Sequence, residues 1–412
     1  MHPISPTVTP YLAAGDDHFS PAAATRRTAY LERAAASRSR SGVRAAAACQ
    51  QAPHGLPTYS FLLCSANRHH YLPTHSTTDA EFYEQVIQYR DWASMDEHEE
   101  EAYLLTRFTG DTSFLADIQA RPRVFCTLHL GSYRLINHFL CRHAVPFTLV
   151  IDNATLQEQG DKFLAMKAAD SASNGGSFRI LNAESASIGL QMIREVKAGR
   201  SLLFYIDGNT GVSGMDRRDE KLTVVPFLKR QVFARKGIAF LAHVTGSPIV
   251  PLVAYRHGDA DFETRFFSPI IPDAGQPRDE FAVNTTRRIF ELFEPALRRY
   301  PTQWEGWLYM NRFVDLSALR EQHDPQPNLT LAPIDLPTQP VFNHARYSLF
   351  VQADQSQLFD RLTYQTFNVS GQLVKLLQNL PNLPSNLQQQ FASMPIFKDL
   401  CARQVIVATP VA

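Results

Sequence analysis

The eight residues Thr127-Leu-His-Leu-Gly-Ser-Tyr-Arg134 hold the densest set of chemically useful groups in the chain. His129 stands at the end of an apolar run, where a neutral imidazole near pH 7 can act as a general base. Gly131 lets another backbone or a substrate approach closely, and the N–H groups around it are candidates to hold an oxyanion. Ser132 fits the N-cap of a helix that follows. A helix N-terminus disfavours an imidazolium, so His129 is expected to stay neutral. Taken alone, a single histidine serves equally well as the last packing residue of a core strand.

Other charged groups fall at comparable places. Asp152 and Asp207 each end an apolar run. Asp207-Gly-Asn-Thr-Gly211 is a glycine-rich loop, but it lacks the Lys-Ser/Thr pair of a phosphate loop and the spacing of a dinucleotide fingerprint, which argues against a nucleotide. Asn209 and Thr210 are loop formers that also suit substrate contact. Lys229, Arg230, Arg235 and Lys236 form a basic cluster, which reads either as a seat for the acidic face or phosphopantetheine phosphate of a carrier protein or as a solvated helix face. His69, His70 and His75 have no acid or cysteine at ligand spacing, so no metal site is expected. Glu97 to Glu101 reads as a solvated helix face.

Alternating elements would position these groups. From Arg121 onward, Val124–His129, Phe147–Asp152, Phe178–Leu181, Ser201–Asp207, Pro248–Tyr255 and Thr264–Phe267 read as strands. Helices are expected over Ser132–His143, Leu156–Ala172, Ala186–Lys197, Arg235–Thr245 and Asp279–Arg299. That order implies an α/β fold with crossover connections, in which catalytic groups gather on loops at the carboxyl ends of strands. His129, Asp152 and Asp207 all lie at such ends.

Composition sets the outer limits. The 412 residues carry 40 basic and 40 acidic side chains, so no global positive field invites nucleic acid. Five scattered cysteines make a poor disulfide framework and suit a reduced cytoplasm. No run of about 18 apolar residues is present to span a bilayer. Residues 20–50 are rich in Ala, Arg and Ser, but Asp16, Asp17 and Glu32 weigh against a transit peptide. Residues 1–55 therefore read as a solvated or partly helical arm, followed by a main domain at 56–315, a Pro-rich linker at 316–340 and a small unit at 341–412.

Over roughly half its length the chain resembles the bacterial lipid A biosynthesis (lauroyl and myristoyl) acyltransferases of the lysophospholipid acyltransferase superfamily. Blocks that carry the resemblance occur in order: His129–Arg134, Ile151–Leu156, Ala198–Asp207 with Val224–Leu228, Gly237–Ala242 with Thr245 and Pro248–Pro251, then Gln303-Trp304 and Trp307 through Arg312-Phe313. The resemblance implies a twisted mixed sheet flanked by helices, as in glycerolipid acyltransferases, and acyl transfer from an acyl carrier protein or coenzyme A thioester without a bound cofactor. It makes His129 the catalytic base, with Arg134 and Asp207 beside it. Gly131, Ser132, Asp152, Asn153, Asn209, Arg230, Glu305 and Arg312 become candidate substrate contacts.

Two departures stand out. The family usually has an N-terminal membrane helix, which this chain lacks, and the family's acid five residues after the histidine is Arg134 here. Arg134 cannot orient an imidazole as a triad acid does; it would push the ring further toward neutrality or bind a substrate carboxylate or phosphate. Three readings stay open: another acid serves (Asp152, Asp207 or Glu305, unranked), His129 acts unaided, or catalysis is lost and the domain only binds. The small α+β unit at 341–412 resembles in element order the winged-helix peptide-binding modules (PqqD-like) of ribosomal-peptide maturation, which implies a peptide partner held by strand addition. A plain docking or dimerisation unit is the alternative. The expectation is a cytoplasmic, thioester-dependent acyltransferase of natural-product or lipid biosynthesis, partnered by an acyl or peptidyl carrier protein, with room for peripheral membrane contact.

Overall fold

The computed structural model describes residues 21–50, 55–97, 99–157, 178–208, 220–323 and 338–410. The chain divides into two compact units, one built from Met1–Val43, Glu84–Gly306 and Arg312–Val314, the other from Arg44–Tyr83, Trp307–Asn311 and Asp315–Ala412. This division differs from a linear series of arm, domain, linker and tail.

The first unit contains a seven-stranded mixed sheet flanked by helices. Its strands are β1 (Thr106–Gly110), β2 (Val124–Thr127), β3 (Phe147–Ile151), β4 (Phe178–Asn182), β5 (Ser201–Tyr205), β8 (Ile249–Gly258) and β9 (Asp261–Phe266), in the order β1-β9-β8-β2-β5-β3-β4. Between them in sequence, β6 (Leu222–Phe227) and β7 (Arg230–Arg235) form a separate antiparallel pair. β8, β2, β5, β3 and β4 run parallel, β9 turns antiparallel to β8, and β1 pairs parallel with β9. Val124, Phe125, Cys126 and Thr127 are all buried, as are Ser201–Phe204. Burial on both faces is why these strands read as continuous apolar runs.

The strands Val124–Thr127, Phe147–Ile151 and Ser201–Tyr205 are a residue or two shorter than their apolar runs suggest, whereas Phe178–Asn182, Ile249–Gly258 and Asp261–Phe266 are longer. The helix after β2 spans Leu135–Arg142 and starts three residues later than Ser132. Ser132 is therefore no N-cap. Of the helix expected at Leu156–Ala172, residues 156 and 157 fall in a helical turn at 153–157, and residues 158–172 lie outside the described residues. The β6–β7 pair replaces the helix face expected around Lys229 to Lys236. The helix there starts at Gly237 and ends at Gly246, which takes the left-handed conformation (φ 65°) that favours glycine.

The N-terminal segment is a helix, Pro21–Cys49. It is not uniformly solvated: Tyr30, Ala34 and Ser41 are buried. Tyr30 and Ala34 join the first unit's core, which is centred on Phe125, Phe139, Phe147, Leu203 and Val250.

In the second unit β10 (Thr338–Phe342) pairs antiparallel with β14 (Ile406–Pro410), and β11 (Tyr347–Gln352), β12 (Gln355–Asp360) and β13 (Gln365–Asn368) form a meander. Helices Gly371–Asn379, Ser385–Ala392 and Pro395–Ala402 lie between β13 and β14 in sequence. Leu56 packs in this unit's core with Phe342, Leu349, Leu377 and Phe391. The stretch read as a linker holds a helix, Leu316–His323, and the start of β10; residues between them lie outside the description. Among the described residues, no helix is long and apolar enough to cross a membrane.

Candidate active site

Parallel strands β2, β5 and β3 lie side by side, so the loops leaving their carboxyl ends converge. These loops carry His129, Asp207 and Asp152. Asp207 and His129 meet: His129 Nδ1 lies 2.8 Å from Asp207 Oδ1, and the His129 backbone N–H donates to both carboxylate oxygens at 3.2 and 3.0 Å. The Trp304 indole N–H donates to Asp207 Oδ2 at 2.7 Å. Asp207 is buried, and this set of donors fixes its plane. With Nδ1–H facing the carboxylate, the neutral ring carries its lone pair on Nε2.

The ring is also held by packing. Tyr205 stacks on it, with centroids 4.6 Å apart, and Tyr133 meets it edge-on at 4.8 Å. Burial by itself would depress the imidazole pKa. The Asp207 charge and hydrogen bond, helped by Glu305 and opposed by Arg134, outweigh it and raise the value above 6.5. The expected shift toward neutrality is thus reversed, because a contacting carboxylate acts more strongly than a helix end or a neighbouring guanidinium. The side chain remains 22% exposed, so solvent or substrate reaches it.

A second pairing holds the loop. Gly131 N–H donates to Gln303 O at 2.9 Å, and Glu305 N–H donates to His129 O at 3.0 Å, a short antiparallel bridge centred on Leu130 and Trp304. Gly131 has φ +57°, and a Cβ there would sit 2.7 Å from the Tyr255 Cα. Its glycine serves this backbone approach, and its N–H, already bonded, is not available to hold an oxyanion.

Ser132 lies in a buried ionic network rather than against substrate. It donates to Asp96 Oδ2 at 2.5 Å and accepts from Arg256 Nε at 3.0 Å. Tyr30 Oη donates to Asp96 Oδ1 at 2.8 Å, and Arg256 also ion-pairs with Asp96. Arg256 and Asp96 side chains are 1% and 0% exposed. The guanidinium lies over Trp92 and Phe262, 4.6 and 4.5 Å from their centroids. Helix 21–49, helix 79–96, β8 and the 129–134 loop are tied together here.

Arg134 does not face the imidazole as an acid would. It pairs with Glu97 at 2.6 Å and donates from Nε to Tyr133 Oη at 3.1 Å. Glu97, expected on a solvated face, is buried.

A cavity of about 440 Å3 opens beside the ring. Leu149, Ile151, Ile188, Met192, Phe204 and Ile238 supply much of its apolar wall, and Glu97, His129, Tyr133, Arg134 and Asn137 supply polar groups. Asp152 lines it too, and its Oδ1 accepts from Thr155 N–H at 2.6 Å, capping the helical turn 153–157. The remaining candidates do not gather there. Asn153, Arg230 and Arg312 are exposed and are not among the cavity-lining residues, and Asn209 lies outside the described residues. Glu305 sits beside Tyr133, which donates to it at 3.4 Å. Trp304, Tyr205, Tyr133 and Glu97 were not among the site candidates from the sequence; Trp304 and Tyr133 stood only within motif blocks, and Glu97 only on a face read as solvated. The Gln303-Trp304 block of the resemblance was the signal that pointed to Trp304.

Residues 175–313 match the model of the bacterial lipid A biosynthesis acyltransferases. The match includes Asp207, Trp304 and Glu305 and begins after His129, so the histidine joins the matched segment through its geometry. No curated protein matches the chain. The match supports the resemblance for the motif blocks from Ala198 onward: residues 175–313 are similar to the bacterial lipid A biosynthesis acyltransferases.

Proposed function

We propose that the chain is an acyltransferase that moves an acyl group from a carrier-protein or coenzyme A thioester to an amine or hydroxyl, with His129 as base and Asp207 as the acid that orients it. The observation that carries this reading is the 2.8 Å contact between His129 Nδ1 and Asp207 at the wall of a largely apolar cavity. Of the three acids left open by the sequence, Asp207 is the one placed at hydrogen-bond distance from the ring nitrogen Nδ1.

The acyl chain lies against the apolar wall with the thioester carbon near His129. Nε2 takes the acceptor's proton as its nitrogen or oxygen attacks, and the new bond forms to the carbonyl carbon. Collapse of the tetrahedral intermediate breaks the C–S bond, and the imidazolium returns its proton to the leaving thiolate. Asp207 stabilises the imidazolium without itself being protonated. Tyr133 donates to the oxyanion: burial and the nearby Glu305 charge keep its phenol protonated, and its present bond to Glu305, at 3.4 Å, is long enough to exchange.

Lys229 and Arg230 on the β6–β7 pair, with Arg235 and Lys236, are the proposed contact for an acidic carrier protein. Acyl transfer in natural-product or lipid biosynthesis in the cytoplasm fits five cysteines that form no disulfide. The test is thiol release from acyl thioesters offered with amine and hydroxyl acceptors. His129→Ala should lower turnover by about 10²–10⁴-fold. Wild-type turnover in that variant would leave a binding protein that kept the cavity.

A further inference from the structure

Arg134 and Glu97 form an ion pair on the cavity wall, at 15% and 6% side-chain exposure. Asn137 shares that wall, 1% exposed, and neither its amide oxygen nor its amide nitrogen has a well-formed hydrogen bond. The Tyr205 hydroxyl is its polar neighbour, near enough to be influenced by it but not engaged in good geometry. A buried amide left this way normally marks a missing partner, and Asn137 is one of the residues that line the space beside His129.

The cluster presents one cation, one anion and a group with both donor and acceptor, and its charges cancel. A lone anion such as a phosphate would bury an extra negative charge beside Glu97, and a lone ammonium would do the same beside Arg134. A ligand carrying both an amine and a carboxylate meets both without leaving net charge behind. Its carboxylate takes the Arg134 fork, its amine lies toward Glu97, and Asn137 bridges the two by donating from its NH2 and accepting on its oxygen.

We propose that the acyl acceptor is a small amino acid-type amine, bound through its carboxylate by Arg134 and through its nitrogen by Glu97 and Asn137, and acylated on that nitrogen. This rests on the acyl-transfer reading and narrows it. After the ammonium has given one proton to solvent, the amine attacks the thioester carbon and a C–N bond forms. His129 removes the second proton, the C–S bond breaks, and the thiolate takes the proton, so the products are an N-acyl amino acid and a free thiol. Arg134, at the position where the related enzymes have an acid, then serves acceptor choice instead of ring orientation.

The experiment uses the full chain with decanoyl-coenzyme A and with a decanoyl carrier protein. Acceptors are free amino acids, their methyl esters, the matching alkylamines and a lysophospholipid. Thiol release and the acylated product are both measured. Free amino acids should exceed their methyl esters and the alkylamines by about 10²-fold or more in kcat/KM, as expected when a site built for a polar group loses it. In Arg134→Gln the preference for the free acid over its ester should fall toward one, and in Glu97→Gln and Asn137→Ala the KM for the amino acid should rise. If thiol release depends on His129 but alkylamines, esters or the lysophospholipid serve as well as the free amino acid, the acceptor assignment is wrong and acyl transfer stands. If no donor and acceptor pair gives His129-dependent thiol release, both fall. Should Arg134→Gln not fold, the wild-type acceptor series decides the matter by itself.

Discussion

Asp207 gives His129 its tautomer, its orientation and its raised pKa, so one oxygen removed from Asp207 should change all three. In Asp207→Asn the amide can present an N–H to Nδ1 and favour the wrong tautomer, and kcat should fall by about 10²–10⁴-fold. The pH profile carries the sign. The active base is the neutral ring, so kcat/KM for wild type should rise with pH through an inflection above the ordinary value of 6.5. In Asp207→Asn the largest raising influence is gone and burial depresses the pKa, so the residual activity should show its inflection at lower pH. An unmoved inflection would mean that the titrating group is not this imidazole. His129 was legible in the sequence from its place after an apolar strand. The choice of Asp207 over Asp152 and Glu305 was not, because 78 positions separate it from His129 and only the pairing of β2 with β5 brings them together. A scan for an acid five residues downstream meets Arg134 and would judge the site dead.

At the scale of elements, the 303–306 segment and the buried network hold the site in place. Gly306 is needed by the Trp304 ring: a Cβ there would fall 2.1 Å from the indole. Gly306→Ala should displace the indole and remove the Asp207 donor, lowering kcat/KM by ~10–100-fold. Near-normal far-ultraviolet circular dichroism in this variant would separate a positioning defect from unfolding. Asp96→Ala leaves Arg256 as a buried, unpaired cation and should cost about 3–5 kcal/mol in urea unfolding. A loss under 1 kcal/mol would show that the network relaxes by admitting water. The parallel strands were legible because they are buried on both faces. The β11–β12 turn was harder to read. Ala353 and Asp354 both take positive φ, at 49° and 60°, in a two-residue turn that usually announces itself with Asn or Gly. The β6–β7 pair was hidden for another reason: Arg230 and Arg235 at its ends read as a charged helix face.

The whole molecule resists division by a single cut. The second unit takes Arg44–Tyr83 from one part of the chain and Asp315–Ala412 from another. Tyr59 stacks on Phe350 at 5.5 Å, and Tyr364 Oη donates to Asn67 Oδ1 at 2.8 Å. Deleting everything after Ala332 would strip Leu56 and Tyr59 of their packing partners, and the product should aggregate and bind a hydrophobic dye. A monomeric, cooperatively unfolding truncation would show that 44–83 needs no partner from the C-terminal stretch. The tail alone, with its run of strands and helices, was readable as a unit, but its N-terminal share was not, since contacts over nearly 300 positions leave no mark on local periodicity.

The threading of the polypeptide has a historical consequence. It leaves one unit for the other at residues 43–44, returns at 83–84, and crosses again around 306–315. A gene for the C-terminal part could not have been joined end to end to a finished enzyme and worked at once, because the Arg44–Tyr83 part of its fold is written inside the other's reading frame. Simple end-to-end fusion does not build this architecture, because neither part is a single continuous stretch of the chain.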